Sequence, residues 1–102
     1  MSELDIETTL RGFSHAKFTD RYGEQCSIQK SSLASEDCIW LGLDDVTPQI
    51  LASKIIEGGT GWAKLPLPDD VHIHSRMHLT REQVAALLPA LQRFVQTGEI
   101  SA

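Results

Sequence analysis

Aromatic residues and long apolar runs are both scarce in this chain of 102 residues. Only 6% of the residues are Phe, Trp or Tyr, whereas 41% are hydrophobic and 23% are charged. This composition is typical of a globular protein and differs from that of a disordered chain. No stretch approaches the roughly 18 consecutive apolar residues of a transmembrane helix. The length suits a single domain.

Basic residues are outnumbered by acidic ones. The chain has 9 Lys and Arg residues against 14 Asp and Glu residues, which gives a formal net charge of -5 at pH 7. Broad, non-specific binding of nucleic acid needs a net basic surface, so we expect no direct nucleic-acid binding. A single small basic pocket on an otherwise acidic surface remains compatible with this charge.

Cysteines are few as well. Cys26 and Cys38 are the only two, and they do not form a Cys-x-x-Cys pair, which argues against a thiolate zinc site. If the strands that hold them pair through the loop at 32–37, Cys26 lies opposite a residue near Leu43 and not opposite Cys38. We therefore expect two small, half-buried core residues without a disulfide.

The first residues also lack the marks of a secretion signal. Residues 1–7 are acidic and polar, without the basic start and apolar run that such signals require. We expect residues 1–12 to form a flexible leader and residues 13–102 to form one domain. The predicted location is the cytosol of a bacterial host, and no membrane contact is expected.

Hydrophobic patterning after the leader predicts an α+β fold. Strands are predicted at 15–20, 24–31, 38–43 and 71–79, and helices at 47–57 and 80–97. In the second strand Cys26 and Ile28 point to one side while Ser27 and Gln29 point to the other, as in a half-buried strand. We therefore predict a small, mostly antiparallel sheet with the C-terminal amphipathic helix packed on one face.

Local signals mark both predicted helices. Thr80 and Gln83 form a capping box at the start of the long helix, and Gly98 is a natural stop at its end. Thr47 followed by Pro48 is a favourable start for the shorter helix. The apolar stripe of the long helix repeats at helical spacing and comprises Val84, Leu87, Leu88, Leu91 and Val95, with Phe94 beside it.

The most informative polar pattern is the alternation of His72, His74, Arg76 and His78. Alternate residues of a strand share a face, so these four side chains would stand in a row about 6 to 7 Å apart. An anion site is one interpretation, in which Arg76 makes a forked contact to phosphate or carboxylate and the histidines add hydrogen bonds. A two-fold interface would bring two such rows together around one pocket.

Two other interpretations of the row stay open. A metal site is disfavoured, because three histidines strung along one strand are too far apart to converge on one ion. The plainer alternative is the solvent-facing side of a half-exposed strand that happens to hold histidines. We predict no metal and no cofactor.

A glycine-rich segment, Glu57–Trp62, is a second candidate. Its three glycines and the Thr60 hydroxyl would wrap a phosphate with backbone N–H groups, although the segment lacks the Lys-Ser or Lys-Thr of a P-loop. A flexible connector explains the same glycines. Trp62, beside them, and Tyr22, in the first predicted turn, are candidates for stacking on a base.

No catalytic constellation stands out. The adjacent pairs Asp44–Asp45 and Asp69–Asp70 are typical of turns and helix caps, and Cys26 lacks a base at a fixed spacing. We therefore predict a protein that is not an enzyme. A small hydrolase of nucleotide signals that uses His74 or His78 as its base is the alternative.

A set of short sequence blocks, spread over most of the chain after the leader, forms a recognisable pattern. They include Phe18-Thr19-Asp20, Tyr22-Gly23, Ile39-Trp40-Leu41-Gly42, Gly61-Trp62, Arg76-Met77-His78-Leu79 and Leu87-Leu88-Pro89. With these blocks the chain resembles small accessory proteins that bacteriophages and prophages encode. His72 and His74 lie outside the blocks, so the resemblance favours Arg76 and His78 as site residues.

The resemblance implies a role in blunting host defence. One form of this role is the sequestration of a nucleotide immune signal in a pocket of a homo-oligomer, with Arg76 on phosphate, His78 and His74 assisting, and Trp62, Tyr22 and Thr60 completing the site. Another is inhibition of a host defence protein, such as a CRISPR-type effector, through the acidic surface. Both expectations rest on analogy.

Overall fold

The computed structural model describes residues 4–101, which form an α+β fold as the sequence predicts. Within these residues every strand pair is antiparallel. The larger sheet has five strands in the order β1 (Glu7–Thr8), β2 (Ser14–Thr19), β3 (Gln25–Lys30), β4 (Cys38–Leu43) and β7 (Arg76–Thr80). A separate two-stranded sheet pairs β5 (Gln49–Leu51) with β6 (Trp62–Lys64), and helix α1 spans Arg81–Thr97.

The hairpin of β2 and β3 forms where the alternation predicts it. The Asp20 side chain accepts hydrogen bonds from the backbone N–H groups of Tyr22 (2.8 Å) and Glu24 (3.0 Å), which closes the turn. Further along the sheet, Cys26 is paired with Leu43, which confirms the predicted register. Both cysteines are free and buried, and burial raises the pKa of each thiol.

Strand alternation gives the five-stranded sheet two chemically different faces. We call the first the polar face, and its central residues are Ser27, Gln29, Ser31, Trp40, Arg76 and His78. We call the second the apolar face, and its central residues are Ile28, Ile39, Leu41, Met77 and Leu79. Arg76 and His78, the two residues of the predicted row that lie in a strand, are therefore on the side of the sheet opposite to the apolar face.

The prediction of a helix at residues 47–57 is wrong. Gln49–Leu51 is a strand paired with Trp62–Lys64, and only Ala52–Lys54 between them makes a single 3-10 turn. Pro48 accepts a hydrogen bond from the Leu65 N–H through its carbonyl, which extends this hairpin. Positive φ at Gly58 lets the connection turn back, so the glycines that suggested a helix stop belong to a hairpin loop.

The strand predicted at 71–79 is shorter than expected, since β7 begins only at Arg76. Arg76 is paired with Gly42, and β4 ends one residue later at Leu43. Residues 71–75 therefore have no neighbouring strand to bond with. The leader predicted at 1–12 differs as well, because Glu7–Thr8 pairs with β2, while residues 1–3 lie outside the described part of the chain.

Helix α1 begins and ends as its capping signals predict. The Thr80 hydroxyl accepts from the Gln83 N–H at 3.2 Å, the Gln83 side chain accepts from the Thr80 N–H at 2.9 Å, and Gly98 adopts φ 80°. Its packing is less extensive than expected. The helix contacts the sheet chiefly through β7, from which it continues directly, and none of residues 81–97 is buried.

Candidate functional site

Trp40 lies at the centre of the polar face. In the sheet it is flanked by Gln29 of β3 on one side and by His78 of β7 on the other. The His78 ring stacks on the indole with a centroid distance of 3.9 Å and an angle of 7° between the planes. The Arg76 guanidinium lies 5.5 Å from the indole centroid, a cation–π contact. Trp40 thus contacts both predicted site residues of β7, Arg76 and His78.

Arg76 reaches across β4 to the middle strand. Its Nη1 donates to the Ser27 hydroxyl at 3.3 Å and to the Gln29 side-chain carbonyl at 3.2 Å. A guanidinium has five N–H donors, so Nη2 and Nε remain to bind an anion in a forked geometry. Within the described chain Arg76 forms no direct salt bridge, although the Ser27 hydroxyl that accepts from it donates in turn to the Asp44 carboxylate.

Two buried hydroxyl groups form the floor beneath these side chains. Ser27 and Ser31 are each only 4% exposed. The Ser27 hydroxyl donates to the Asp44 carboxylate at 2.5 Å, and the Ser31 hydroxyl lies 2.9 Å from Nε2 of His78. Because buried polar groups need partners, these bonds fix the positions of Arg76 and His78 on the sheet.

A cleft of about 540 Å³ opens beside this cluster. Trp40 and Arg76 form its sheet side, the loop after β4 contributes Asp44 and Asp45, and residues 71–75 form the opposite wall. Val46 and Leu67 add apolar surface. Clefts of this size accommodate small organic ligands such as nucleotides.

The charges of the cleft are mixed. Arg76 supplies one fixed positive charge, whereas Asp44 and Asp45 supply two carboxylates. Such a site suits a ligand that carries an anionic group together with hydroxyl or N–H donors, because Arg76 binds the former and a carboxylate accepts from the latter. A bare polyanion would be repelled by the carboxylate side.

The predicted site residues divide into two groups. Arg76 and His78 lie together on the polar face, and His74 lines the cleft next to Arg76. His72 and His74 are not in a strand, and their rings meet edge to face at 4.7 Å. The row of four side chains that the alternation predicts is therefore formed only at its Arg76 end.

Four of the predicted residues do not line the cleft: His78, which adjoins it through its stacking on Trp40, and Tyr22, Trp62 and Thr60. Tyr22 is in the turn between β2 and β3, and Trp62 is on β6, where it is 66% exposed. Thr60 belongs to the loop between β5 and β6, where Gly59 donates its N–H to the Ile56 carbonyl. An alanine Cβ at Gly59 would lie 2.9 Å from the Ala52 carbonyl oxygen, so Gly59 serves tight packing of the loop, whereas Gly58 and Gly61 have open space around them and positive φ.

Six contributors to the site were not predicted from the sequence as site residues: Ser27, Gln29, Ser31, Trp40, Asp44 and Asp45. The alternation already placed Ser27 and Gln29 on one side of the second strand. The missing step was to place Ile39-Trp40-Leu41 against that strand, which puts Trp40 on the polar side. A continuously apolar run does not reveal which of its members points toward polar neighbours.

Two other features, a cluster of metal ligands and a membrane-spanning helix, are absent from the described residues. Among residues 4–101, no three His, Cys, Asp or Glu side chains lie close enough together to hold a metal ion. In the same part of the chain, no helix is both long and apolar enough to cross a membrane.

Comparison with protein-family models, curated proteins and solved structures finds no match to this chain.

Proposed function

We propose that the protein binds a nucleotide-like anion in the cleft beside Arg76 and sequesters it without converting it. Arg76 binds the phosphate through the donors that Ser27 and Gln29 leave free. The indole of Trp40 gives the base or sugar an apolar surface, and Asp44 or Asp45 accepts from ligand hydroxyl or N–H groups. The observation that carries this proposal is the Arg76 guanidinium, which forms no direct salt bridge within the described chain and is held at the edge of a cleft of suitable volume.

The surroundings of His78 favour binding over catalysis. Its ring is stacked on Trp40, and its Nε2 is bonded to Ser31. Ser31, whose hydroxyl occupies Nε2, is only 4% exposed, so a ligand in the cleft does not reach it and Nε2 is not available to take a proton from that ligand. We therefore propose that His78 positions Trp40 and the adjacent ligand group and transfers no proton.

The biological role follows from the resemblance to phage accessory proteins. A protein that sequesters a signalling nucleotide needs a pocket and cellular abundance, and it needs no catalytic base. We propose that this chain acts in the bacterial cytosol as part of a homo-oligomer and lowers the free concentration of a nucleotide that activates host defence.

Thermal denaturation against a panel of mononucleotides, dinucleotides and cyclic nucleotides tests the proposal. A ligand that binds only the folded protein stabilises it, by about 2.7 kcal/mol when its concentration is 100 times its Kd. We expect at least one nucleotide to raise the melting temperature of the wild type and to be recovered chemically unchanged. Arg76→Ala should abolish that shift.

Arg21→Ala is the matched control, because Arg21 is exposed in the turn between β2 and β3 and its removal changes the net charge equally. It should keep the wild-type shift. Three outcomes would contradict the proposal: no shift with any nucleotide, a shift that Arg76→Ala retains, or conversion of the ligand. The first, together with co-purification of a host protein, would favour an inhibitor that acts through the acidic surface.

A further inference from the structure

The described chain has almost no hydrophobic core of its own. Ala16, Cys26 and Cys38 are its buried hydrophobic residues, and among residues 4–101 no large side chain is fully buried. The apolar stripe of α1 lies largely in solvent, with Val95 65% exposed. On the apolar face of the sheet, Met77 is 52% exposed. Two complementary apolar surfaces of one chain are thus both uncovered.

The junction between β7 and α1 explains why the helix does not cover its own sheet. Thr80 is both the last residue of the strand and the N-cap of the helix, so no loop residues separate the two elements. Without loop residues the helix does not turn back over the sheet and contacts it chiefly through β7. It leaves an apolar groove of about 490 Å³ between the sheet and the first half of the helix, lined by Ile39, Leu79, Val84, Ala85 and Leu88 together with Cys38, Thr80 and the charged residues Lys30, Asp37 and Arg81.

The shape of the molecule shows how much surface is left uncovered. Its radius of gyration is 17.8 Å, against about 13 Å for a compact domain of this length. Its accessible surface is 8660 Å², whereas a compact monomer of 11.3 kDa exposes about 5,700 Å². The difference, about 2,900 Å², is well above the roughly 800 Å² that each partner buries in a standard interface.

We propose that a second copy of this chain covers these surfaces, so that α1 of each copy lies across the apolar face of the other. In this two-fold arrangement the helix stripe (Val84, Leu87, Leu88, Leu91 and Val95) packs on Ile39, Leu41, Met77 and Leu79 of the partner sheet, and the reciprocal contact forms at the same time. The groove beside Leu79 receives part of the partner helix.

Dimensions and charge favour a second copy as the occupant. A helix of 17 residues is about 26 Å long, enough to cross the roughly 19 Å width of five strands. With Arg81, Arg93 and Glu82, α1 has a formal charge of +1 in a chain whose total is -5. The helix of one copy and the remainder of the other therefore carry net charges of opposite sign.

The proposed dimer interface lies on the opposite side of the sheet from the cleft beside Arg76. Dimer formation and ligand binding are therefore expected to be independent of each other. Arg76→Ala should leave the dimer intact, and loss of the dimer leaves the cleft residues of one chain in place. The two failures are therefore distinguishable by measuring molecular mass and nucleotide binding on the same variants.

Light scattering after size-exclusion chromatography tests the assembly. We expect the wild type to have twice the chain mass of 11.3 kDa. Val95→Asp and Met77→Asp, which place a charge on the two opposed surfaces, should each remove the dimer. Ala86→Asp is the matched control for the helix, because it adds the same charged side chain at an exposed position on the side of α1 opposite the apolar stripe, and it should remain dimeric.

A second measurement covers the case in which the separated chain does not fold. The melting temperature of a dimer rises with protein concentration by mass action, so the wild type should show this dependence and Val95→Asp should not. A wild-type mass of 11.3 kDa with a concentration-independent melting temperature would overturn the proposal. So would a dimer that survives both Val95→Asp and Met77→Asp.

Discussion

The two faces of the five-stranded sheet contrast in how far each is satisfied by its own chain. On the polar face, Ser27 and Ser31 are buried, and hydrogen bonds join them to Arg76, His78 and Asp44. The apolar face has hydrophobic residues of ordinary core type, yet Met77 remains half exposed. The polar face is joined by its own hydrogen bonds, whereas the apolar face leaves hydrophobic surface that the described chain does not cover. We infer that the first serves a ligand and the second serves assembly.

Trp40→Ala should have the largest effect on stability and would test whether the polar face is a single packed unit. Trp40 contacts both Arg76 and His78, so its removal leaves a cavity and frees both side chains. We expect the free energy of unfolding to fall by about 3 kcal/mol in urea denaturation. Trp62→Ala, the same substitution at an exposed site, should cost less than about 0.5 kcal/mol. Equal costs would contradict the contrast between the faces.

Gly42→Ala should have an intermediate effect and would sharpen the account of how β7 is held. Gly42 has φ 143°, and an added Cβ would lie 3.0 Å from the Ser75 carbonyl oxygen and 3.2 Å from the Arg76 Cα. Backbone strain and displacement of the start of β7 should together cost about 2 kcal/mol.

Gly23→Ala is the control for Gly42→Ala. Gly23 also has positive φ, at 81°, but nothing lies within 4 Å of an added Cβ. Its cost should therefore be only the conformational term, about 1 kcal/mol. Urea denaturation of both variants measures the difference, and a Gly42→Ala cost no greater than that of Gly23→Ala would show that close approach of β7 is unimportant.

The smallest expected effect concerns the few charges at the rim of the apolar face. A hydrogen bond from Lys30, at 2.9 Å, lowers the pKa of the Asp37 carboxyl below its ordinary value of 3.8. A carboxyl group whose pKa is lower in the folded state than in the unfolded state stabilises the fold at pH values above its unfolded-state pKa. This stabilisation is lost as the pH falls through its folded-state pKa. Wild-type stability should therefore fall more between pH 5 and pH 2 than that of Asp37→Asn.

Lys30→Gln removes the partner of Asp37 and should reduce the pH dependence in the same way as Asp37→Asn. Urea denaturation at a series of pH values measures all three proteins. Because the ion pair is exposed, added salt should weaken the effect further. Identical pH profiles for the wild type and both variants would show that this rim pair contributes nothing.

Agreement between sequence and structure is closest where one short segment contains the whole signal. The capping box at Thr80 and Gln83 defines the start of α1, and the alternation around Cys26 defines β3 and its register with Leu43. Each of these features depends on residues a few positions apart. Local hydrogen bonds and side-chain periodicity are enough to specify them.

Disagreement occurs where a partner strand decides the outcome. Thr47–Pro48 and the apolar residues after it are compatible with a helix, but pairing with Trp62–Lys64 makes Gln49–Leu51 a strand. Residues 71–75 alternate as a strand does, yet β4 has ended at Leu43 and offers them no hydrogen bonds. Periodicity alone does not show whether a neighbouring strand is present.

The amino-acid sequence by itself determined the α+β class, the long capped helix, the β2–β3 hairpin and the position of Arg76 and His78 on one face of a strand. Only the tertiary structure decided that Trp40 joins them, that Ser27 and Ser31 lie beneath them, and that Tyr22, Thr60 and Trp62 lie elsewhere. The physical reason is the sequence separation over which the deciding interactions act. Caps and alternation act within a few residues, whereas a binding site is assembled by strand pairing between residues that are nearly 50 positions apart in the chain, such as Arg76 and Ser27.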